Sequence, residues 1–485
     1  MGNTEFINQQ FIAGQWVAGE DNPIATYDPA TGTEITAVAS ASAAQVDQAV
    51  AAARAALEDP AWRDLLPVAR AAVLFKIADL IEAHAEELAQ LETLDQGQPL
   101  GVARDVSVMG AANHFRYYAG WVTKIEGSVN PISFPNTMHY TEQEPIGVNA
   151  LITPWNFPLM ILAWKLAPAL ATGNTVVIKP SEVTPLTSLR LVQLCEQAGV
   201  PAGVINIVTG GGQVGALLSN HMDVDHLSYT GSTATGRVIT RAAADSNLKR
   251  LTLELGGKAP SIITKNADIQ AAVAGNVGGA LLNSGQVCAA YTRFFVEQSV
   301  HDEFVSALAK AVETVPVGPG TDPNAVVTPL VSEKHAEYVS GMIAQGKAEG
   351  AELVCGGERL DRPGYFVAPT VFTGVKDHMA IAREEIFGPV LSVMTYSDED
   401  ELHSLLARAN DTDYGLAAAV WTQDLRESQR LSRGIKAGAV FVNMLPIPDA
   451  AAPWGGYKAS GWGREMGKWA LDCYTQTKAV WMNYS

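Results

Sequence analysis

Of the four cysteines, Cys195, Cys288, Cys355 and Cys473, one stands where nucleophilic chemistry is plausible by residue type. Cys288 closes Asn283-Ser284-Gly285-Gln286-Val287-Cys288, a small and polar stretch that follows a helical pattern. A thiolate there could add to an electrophilic carbon; an inert core thiol is the competing reading. Cys195 and Cys473 fall in amphipathic helical patterns and Cys355 in a strand-like run, which suits packing. None of the nine histidines has a context that pairs it with a cysteine, so a Cys-His hydrolase is disfavoured. A carboxylate can act as base instead. Glu254, in Leu253-Glu254-Leu255-Gly256-Gly257, ends an apolar run, where an ionised carboxylate is costly unless it is paired or used. Burial would raise its pKa toward the range of a general base; a structural ion pair is the alternative.

Three further segments could hold a phosphate or a sugar. Gly210-Gly211-Gly212-Gln213-Val214-Gly215 matches the G-x-G-x-x-G pattern after a strand. The acidic residue expected about twenty positions on would fall near 229–231, where there is none. Tyr229-Thr230-Gly231-Ser232-Thr233 ends one strand and opens a helix, so its N–H groups could bind a phosphate; Ser232 could equally be an ordinary helix cap. Lys179-Pro180-Ser181-Glu182 closes an apolar strand. Its lysine and carboxylate could hold ribose hydroxyls, or form a solvated turn.

The elements that must position these residues show in the hydrophobic pattern. Up to about residue 122 an extended start gives way to helices. Ser42 and Gln45 form a capping box, with Val46, Val50, Ala53 and Leu57 following at helical spacing. A second helix turns Val73, Ile77, Leu80 and Ile81 to one face. Residues 123–145 are extended, broken by prolines, and read as an excursion such as a hairpin. From Gly147 onward, apolar runs at 148–152, 176–178, 204–208, 226–229 and 251–255 alternate with helical stretches at 159–170, 186–198, 214–219 and 233–244. A second set of runs follows at 260–263, 292–296, 390–395, 417–421 and 439–442. Alternation of this kind predicts α/β architecture: two lobes, each built on a doubly wound parallel sheet, plus a small β appendage.

Composition narrows the function classes. The 485 residues carry 33 Lys+Arg against 51 Asp+Glu, a net charge of −18, and 47% are hydrophobic. Nothing offsets phosphate repulsion, so nucleic acid and anionic membrane are excluded as partners. Four scattered cysteines make neither a disulfide scaffold nor a metal ribbon, and no metal is expected. The amino-terminal stretch lacks the basic head and apolar core of a signal peptide. The longest apolar region, 151–171, contains Pro154, Pro158, Pro168, Asn156 and Lys165, which a membrane span would resist. A cytoplasmic location is expected.

Taken in order, seven segments resemble the aldehyde dehydrogenase superfamily over nearly the whole chain. They are Thr153-Pro154-Trp155-Asn156-Phe157-Pro158, Lys179-Pro180-Ser181-Glu182, Thr230-Gly231-Ser232-Thr233, Glu254-Leu255-Gly256-Gly257-Lys258, Gly285-Gln286-Val287-Cys288, Glu384-Glu385-Ile386-Phe387-Gly388-Pro389 and Pro453-Trp454-Gly455-Gly456-Tyr457-Lys458. The interval from Glu254 to Cys288 also resembles the family spacing. The resemblance implies an NAD(P)-dependent, non-acylating enzyme with Rossmann-like lobes: an NAD-binding domain over 1–122 and 146–256, a catalytic domain over 257–456, and oligomerisation segments at 123–145 and 471–485.

It also implies roles. Cys288 would attack the aldehyde, and the Asn156 amide with the Cys288 backbone N–H would form the oxyanion hole. Glu254 would activate the water that releases the acid. Lys179 and Glu182 would hold the adenosine ribose, Gly231 and Ser232 the pyrophosphate, and Glu385 with Phe387 the nicotinamide riboside; Trp155 completes the cofactor contacts. On this reading the 210–215 match is incidental. Glu182 favours NAD over NADP, because a carboxylate accepts the 2′-hydroxyl and repels a phosphate; NADP use is a possibility the family retains. The substrate tunnel would draw on Phe157, Met160, Trp164, Val287 and Trp454, with 444–452 as a wall. That wall contains no Lys or Arg and only Asp449 as a charge, which favours apolar aromatic or aliphatic aldehydes over acidic ones. Amino or betaine aldehydes, held by cation–π contact with Trp164 or Trp454, are the alternative. Behind them stand a CoA-acylating enzyme and a non-catalytic NAD-binding relative. The family implies a homodimer or homotetramer.

Overall fold

The computed structural model describes residues 6–397 and 402–485. Residues 1–5, part of the stretch read against a signal peptide, lie outside it. Among the described residues two large sheets form, of eight and seven strands. The centre of the first is five parallel strands in the order Arg250–Glu254, His226–Thr230, Val148–Ile152, Thr175–Lys179, Ile205–Ile207. The apolar runs predict all five to within a residue or so.

The strands are buried on both faces, as a parallel sheet covered by helices requires. Side chains alternate: Val148, Ala150 and Ile152 pack with Val177 and Leu253 on one side. Leu151 packs with Val176, Ile178 and the helices Pro67–Ala83 and Pro158–Ala171 on the other. The edges differ from a purely parallel expectation. Gln10–Ile12, Gln15–Val17 and Gly461–Trp462 add antiparallel strands, the last drawn from far along the chain.

The second sheet runs Glu352–Cys355, Thr370–Thr373, Val390–Tyr396, Tyr291–Glu297, Ala259–Ile263, Ala417–Trp421, Ala439–Val442, parallel except at its first pair. Here too successive residues serve opposite cores: Phe294 and Val296 one, Phe295 the other.

The helix Pro158–Ala171 ties the two lobes together. Pro158 sits at its first turn, where a missing N–H costs nothing, and every residue of the helix is buried. Leu159, Leu162, Leu166 and Leu170 pack into the first lobe, whereas Met160, Ile161 and Trp164 pack into the second. The Ser42–Gln45 capping box opens the helix Ala43–Glu58 as predicted.

The 123–145 segment corrects the hairpin expectation. Its strand Thr137–Pro145 pairs antiparallel, over nine positions, with Thr475–Asn483 near the carboxyl-terminal end of the sequence. On the near side only the isolated bridge Val129–Tyr140 forms. Pro131 and Pro135 supply no ladder N–H there, so the strand takes its partner from a distant segment.

Candidate active site

The strand order of the first sheet reverses between Val148–Ile152 and His226–Thr230, and a crevice opens beyond the carboxyl ends of such strands. The loops that begin there carry Trp155 and Asn156, Gly231 and Ser232, and Leu255 to Lys258. The second lobe brings Cys288, His335, Glu385 and Phe387 against them, enclosing a pocket of about 190 Å³ that Asn156 and Glu254 also line. A larger cavity of about 600 Å³, lined by Lys179, Glu182, Gly212 and Gly215, adjoins it and shares Trp155, Gly231, Ser232 and His335.

A tight backbone turn delivers Cys288. Asn283, Ser284 and Gly285 have φ of 48°, 58° and 77°, and two non-glycine residues in the left-handed region are strained unless held. They are held. Asn283 Nδ2 donates to the Asn156 carbonyl at 2.9 Å, and Ser284 Oγ donates to the Thr328 carbonyl at 2.7 Å. Gln286 Nε2 donates to the Asn283 carbonyl at 3.0 Å, and its Oε1 accepts from the Val331 N–H at 2.9 Å.

The same network fixes Asn156. Its carbonyl also accepts from Gln98 Nε2 at 2.8 Å, and its Nδ2 donates to the Gln286 carbonyl at 3.0 Å. That bond uses one amide hydrogen and leaves the second for a ligand.

Two glycines let the lobes meet. A Cβ on Gly256 would lie 2.2 Å from Glu385 Oε2, and one on Gly257 would lie 2.3 Å from the Cys288 carbonyl oxygen. Their absence lets Glu385 Oε1 accept the Gly257 N–H at 2.8 Å. Burial moves the Glu385 carboxyl up to about 7, against the pull of that N–H and of Lys258.

Glu254 is buried and neither carboxylate oxygen has a hydrogen-bond partner. Burial holds its pKa well above the ordinary range; nearby Glu465 adds to this, and Lys165 and Arg464 oppose it. The structural ion-pair reading fails, because Lys165 pairs with Glu465 instead. Burial also pushes the Cys288 thiol up, as do Glu385 and Glu254, while the backbone N–H groups of Cys288 and Ala289 favour the thiolate.

Phe387, itself left-handed at φ 57°, stands edge-on to Trp155 at 5.2 Å. Two residues that sequence reasoning missed keep this stretch in place. His335 Nε2 donates to the Phe387 carbonyl at 2.7 Å and the Tyr338 hydroxyl donates to the Glu385 carbonyl at 3.0 Å. Both sit on the helix Glu333–Ala348, whose pattern is that of any surface helix and carries no signal of the site.

In the larger cavity Lys179 is buried; its Nζ donates to the Pro180 carbonyl at 2.9 Å and lies 3.4 Å from Glu182 Oε2. Ser232 lines both cavities and also accepts the Thr235 N–H at 3.2 Å, so the cap reading holds together with the lining. Gly212 and Gly215 line the larger cavity, so the 210–215 stretch, expected to be incidental, forms part of the wall. On the other side of Cys288, Phe157, Met160, Trp164 and Trp454 form one apolar cluster with Val287 and Cys288 itself. The rings of Trp164 and Trp454 are 6.3 Å apart. Met444 and Ile447, on the expected wall loop, are exposed.

The model of the aldehyde dehydrogenase family matches residues 16–480. The chain belongs to the aldehyde dehydrogenase family. As a member it is an oxidoreductase acting on aldehydes with a nicotinamide cofactor. It is 47% identical over 477 residues to DhaS of Bacillus subtilis, covering 98% of this chain and 95% of that one. The NAD⁺ complex of an aldehyde dehydrogenase from Bacillus cereus superposes with a TM-score of 0.96 at 46% identity, covering 100% of this chain and 97% of that one. The chain spans about half the length of the mouse mitochondrial 10-formyltetrahydrofolate dehydrogenase, 52%, to which it is 44% identical over 481 residues, 98% of this chain. Among the described residues no helix is long and apolar enough to cross a membrane.

Proposed function

We propose that the chain oxidises an apolar aromatic or aliphatic aldehyde to its carboxylic acid through a thiohemiacetal and a thioester on Cys288. The observation that carries this is the convergence of Cys288, Glu254, Asn156, Glu385 and Phe387 on one pocket that continues into a cavity of dinucleotide size. The larger cavity fits NAD: Gly215 and Gly231 keep its wall free of side chains, and the Glu182 carboxylate stands where a ribose hydroxyl would find an acceptor. Trp155, Lys179, Glu182, Gly231 and Ser232 would hold the adenosine and pyrophosphate portion, and Glu385 with Phe387 the nicotinamide riboside. NAD, when bound, is the hydride acceptor.

The residues divide the work. The Cys288 thiolate adds to the carbonyl carbon, and the charge that develops on oxygen meets the spare Asn156 amide hydrogen and the Cys288 backbone N–H. Donors fixed in advance lower that barrier, and removing one typically costs about 10²–10³ in rate. Once the thioester exists, Glu254 takes a proton from water, hydroxide attacks the acyl carbon, and the Cys288 thiolate leaves. Phe157, Met160, Trp164, Val287 and Trp454 would line the aldehyde's path, with no cation to recognise an acidic tail. The exposed ribbon, with segments 123–145 and 471–485, would join subunits into a dimer or tetramer. The lobes would divide into an NAD-binding domain (1–122, 146–256) and a catalytic domain (257–456). Four free cysteines suit a reducing, cytoplasmic setting.

The test is NADH appearance with aromatic, aliphatic, amino and betaine aldehydes, with and without CoA. Steady turnover in the wild type, none in Cys288→Ser and a single burst in Glu254→Gln is the expected result. Product formation only with CoA would overturn hydrolytic release.

A further inference from the structure

Asn156 owes its setting to a run of side chains that begins in a helix outside the site. Between the α-helical pieces Leu100–Val102 and Met109–Ala119 the chain makes a wide π-helical turn over Ala103–Val108. Such turns are rare and occur frequently at functional sites. Two of its side chains reach the surroundings of this one. Val106 packs against the apolar cluster that contains Trp164 and Cys288. Ser107 is fully buried, and its Oγ donates to Gln98 Oε1 at 2.8 Å.

Gln98 is fully buried as well, and both ends of its amide are used. Its Nε2 donates to the Asn156 carbonyl at 2.8 Å. A carbonyl only accepts, so this bond fixes which way round the amide stands, and the Ser107 hydroxyl secures it from the other end. Among the described residues, the Gln98 side chain bonds to nothing else. The Asn156 carbonyl has two acceptor positions, and both are filled: one by Gln98, the other by Asn283 Nδ2 from the turn that carries Cys288. The bonds run in one direction, from Ser107 to Gln98 to Asn156, whose own Nδ2 then donates to the Gln286 carbonyl. Gln98 is tethered in turn, because the Leu100 N–H two residues on donates to the Gly320 carbonyl at 2.8 Å.

We propose that Ser107 and Gln98 are positioning residues for aldehyde oxidation: by clamping the Asn156 carbonyl they hold its side-chain amide where the aldehyde oxygen develops charge. The inference rests on the Cys288 reading above and adds two residues that lie outside the walls of both cavities. Donors of an oxyanion hole act because they are set before the charge arrives. A misplacement of about 1 Å can cost about 10²-fold in rate, even when its cause lies far from the chemistry.

Gln98→Met keeps the length of the side chain and removes both bonds. It should lower kcat/KM for the aldehyde and the single-turnover rate of NADH formation by about tenfold or more, with the calorimetric Kd of NAD⁺ within about twofold of wild type. Gln98→Glu separates positioning from packing. As a neutral acid the substituted side chain can donate to the Asn156 carbonyl and accept from Ser107, as the amide does; ionised, it donates nothing and sets a carboxylate against a carbonyl oxygen. The ratio of its kcat/KM to that of the wild type should therefore be highest at low pH and fall as pH rises, while the Gln98→Met ratio stays level. The neighbouring titratable groups are common to all three proteins and cancel in the ratio: Glu92 and Asp95, which accept from the Leu159 and Leu186 N–H groups, and the surface pair Arg104–Glu86. If Gln98→Glu fails to fold, Gln98→Met and Ser107→Ala carry the test, the second with a smaller loss of the same kind. A lowered melting temperature with kcat/KM unchanged, or a Gln98→Glu ratio independent of pH, would make the pair a packing device and overturn the proposal alone. Turnover that survives Cys288→Ser would overturn the Cys288 reading, and the proposal with it.

Discussion

At the scale of single residues, the site sets two titrations with the same sign. Glu254 is held well above the ordinary carboxyl range by burial and by Glu465. Below that raised pKa it is a neutral acid and takes no proton from water; above it, on the proposed mechanism, it would be the base that thioester release needs. Cys288 is likewise pushed up, so its nucleophilic thiolate also grows with pH. Both kcat and kcat/KM should therefore rise from neutral toward alkaline pH. Stopped-flow and steady-state profiles check this, and an acidic optimum would contradict it. These residue types were legible in sequence: a glutamate between leucines at a strand end, and a cysteine after a small, polar run. Their state was not, because desolvation depends on atoms that come from both lobes.

At the scale of elements, the helix Pro158–Ala171 decides more than its own packing. It carries Lys165, fully buried and paired with Glu465, with Ser228 Oγ at 3.0 Å from its Nζ. Removing one partner of a buried pair strands the other charge, at a cost of about 3–5 kcal/mol. Lys165→Met should lower the melting temperature by several degrees, whereas the double change Lys165→Met, Glu465→Leu should recover most of it. The single variant should also move the rising limb of the pH profile to higher pH, since Lys165 is one of the groups that pull Glu254 down. Differential scanning calorimetry and the pH profile read the two effects separately. The helix itself was readable from its apolar run and from Pro158. Lys165 read only as an obstacle to a membrane span, because its partner lies 300 positions away along the chain.

At the scale of the whole molecule, the ribbon of Thr137–Pro145 and Thr475–Asn483 stands out for the apolar groups that it and its flanking turns leave in solvent: Val129, Phe134, Trp481, Met482 and Tyr484. Phe134 and His139 both pack against the Trp481 ring, at 5.9 and 4.5 Å, so the patch is ordered. Trp481→Arg should shift the sedimentation coefficient from an oligomer toward a smaller species while the monomer core stays folded. A wild-type protein that sediments as a monomer would remove the assembly role from this ribbon.

The sequence alone determined the parallel strands, most of their helices and the side chains proposed for the chemistry, because hydrophobic period and local residue type are short-range properties of the chain. Only the tertiary structure decided which strand pairs with 137–145, that Gly212 and Gly215 join the cavity wall, and that His335 and Tyr338 brace Phe387 and Glu385. Each of these is a contact between segments far apart in the chain, set by how two lobes close on one another, and no local pattern encodes that closure.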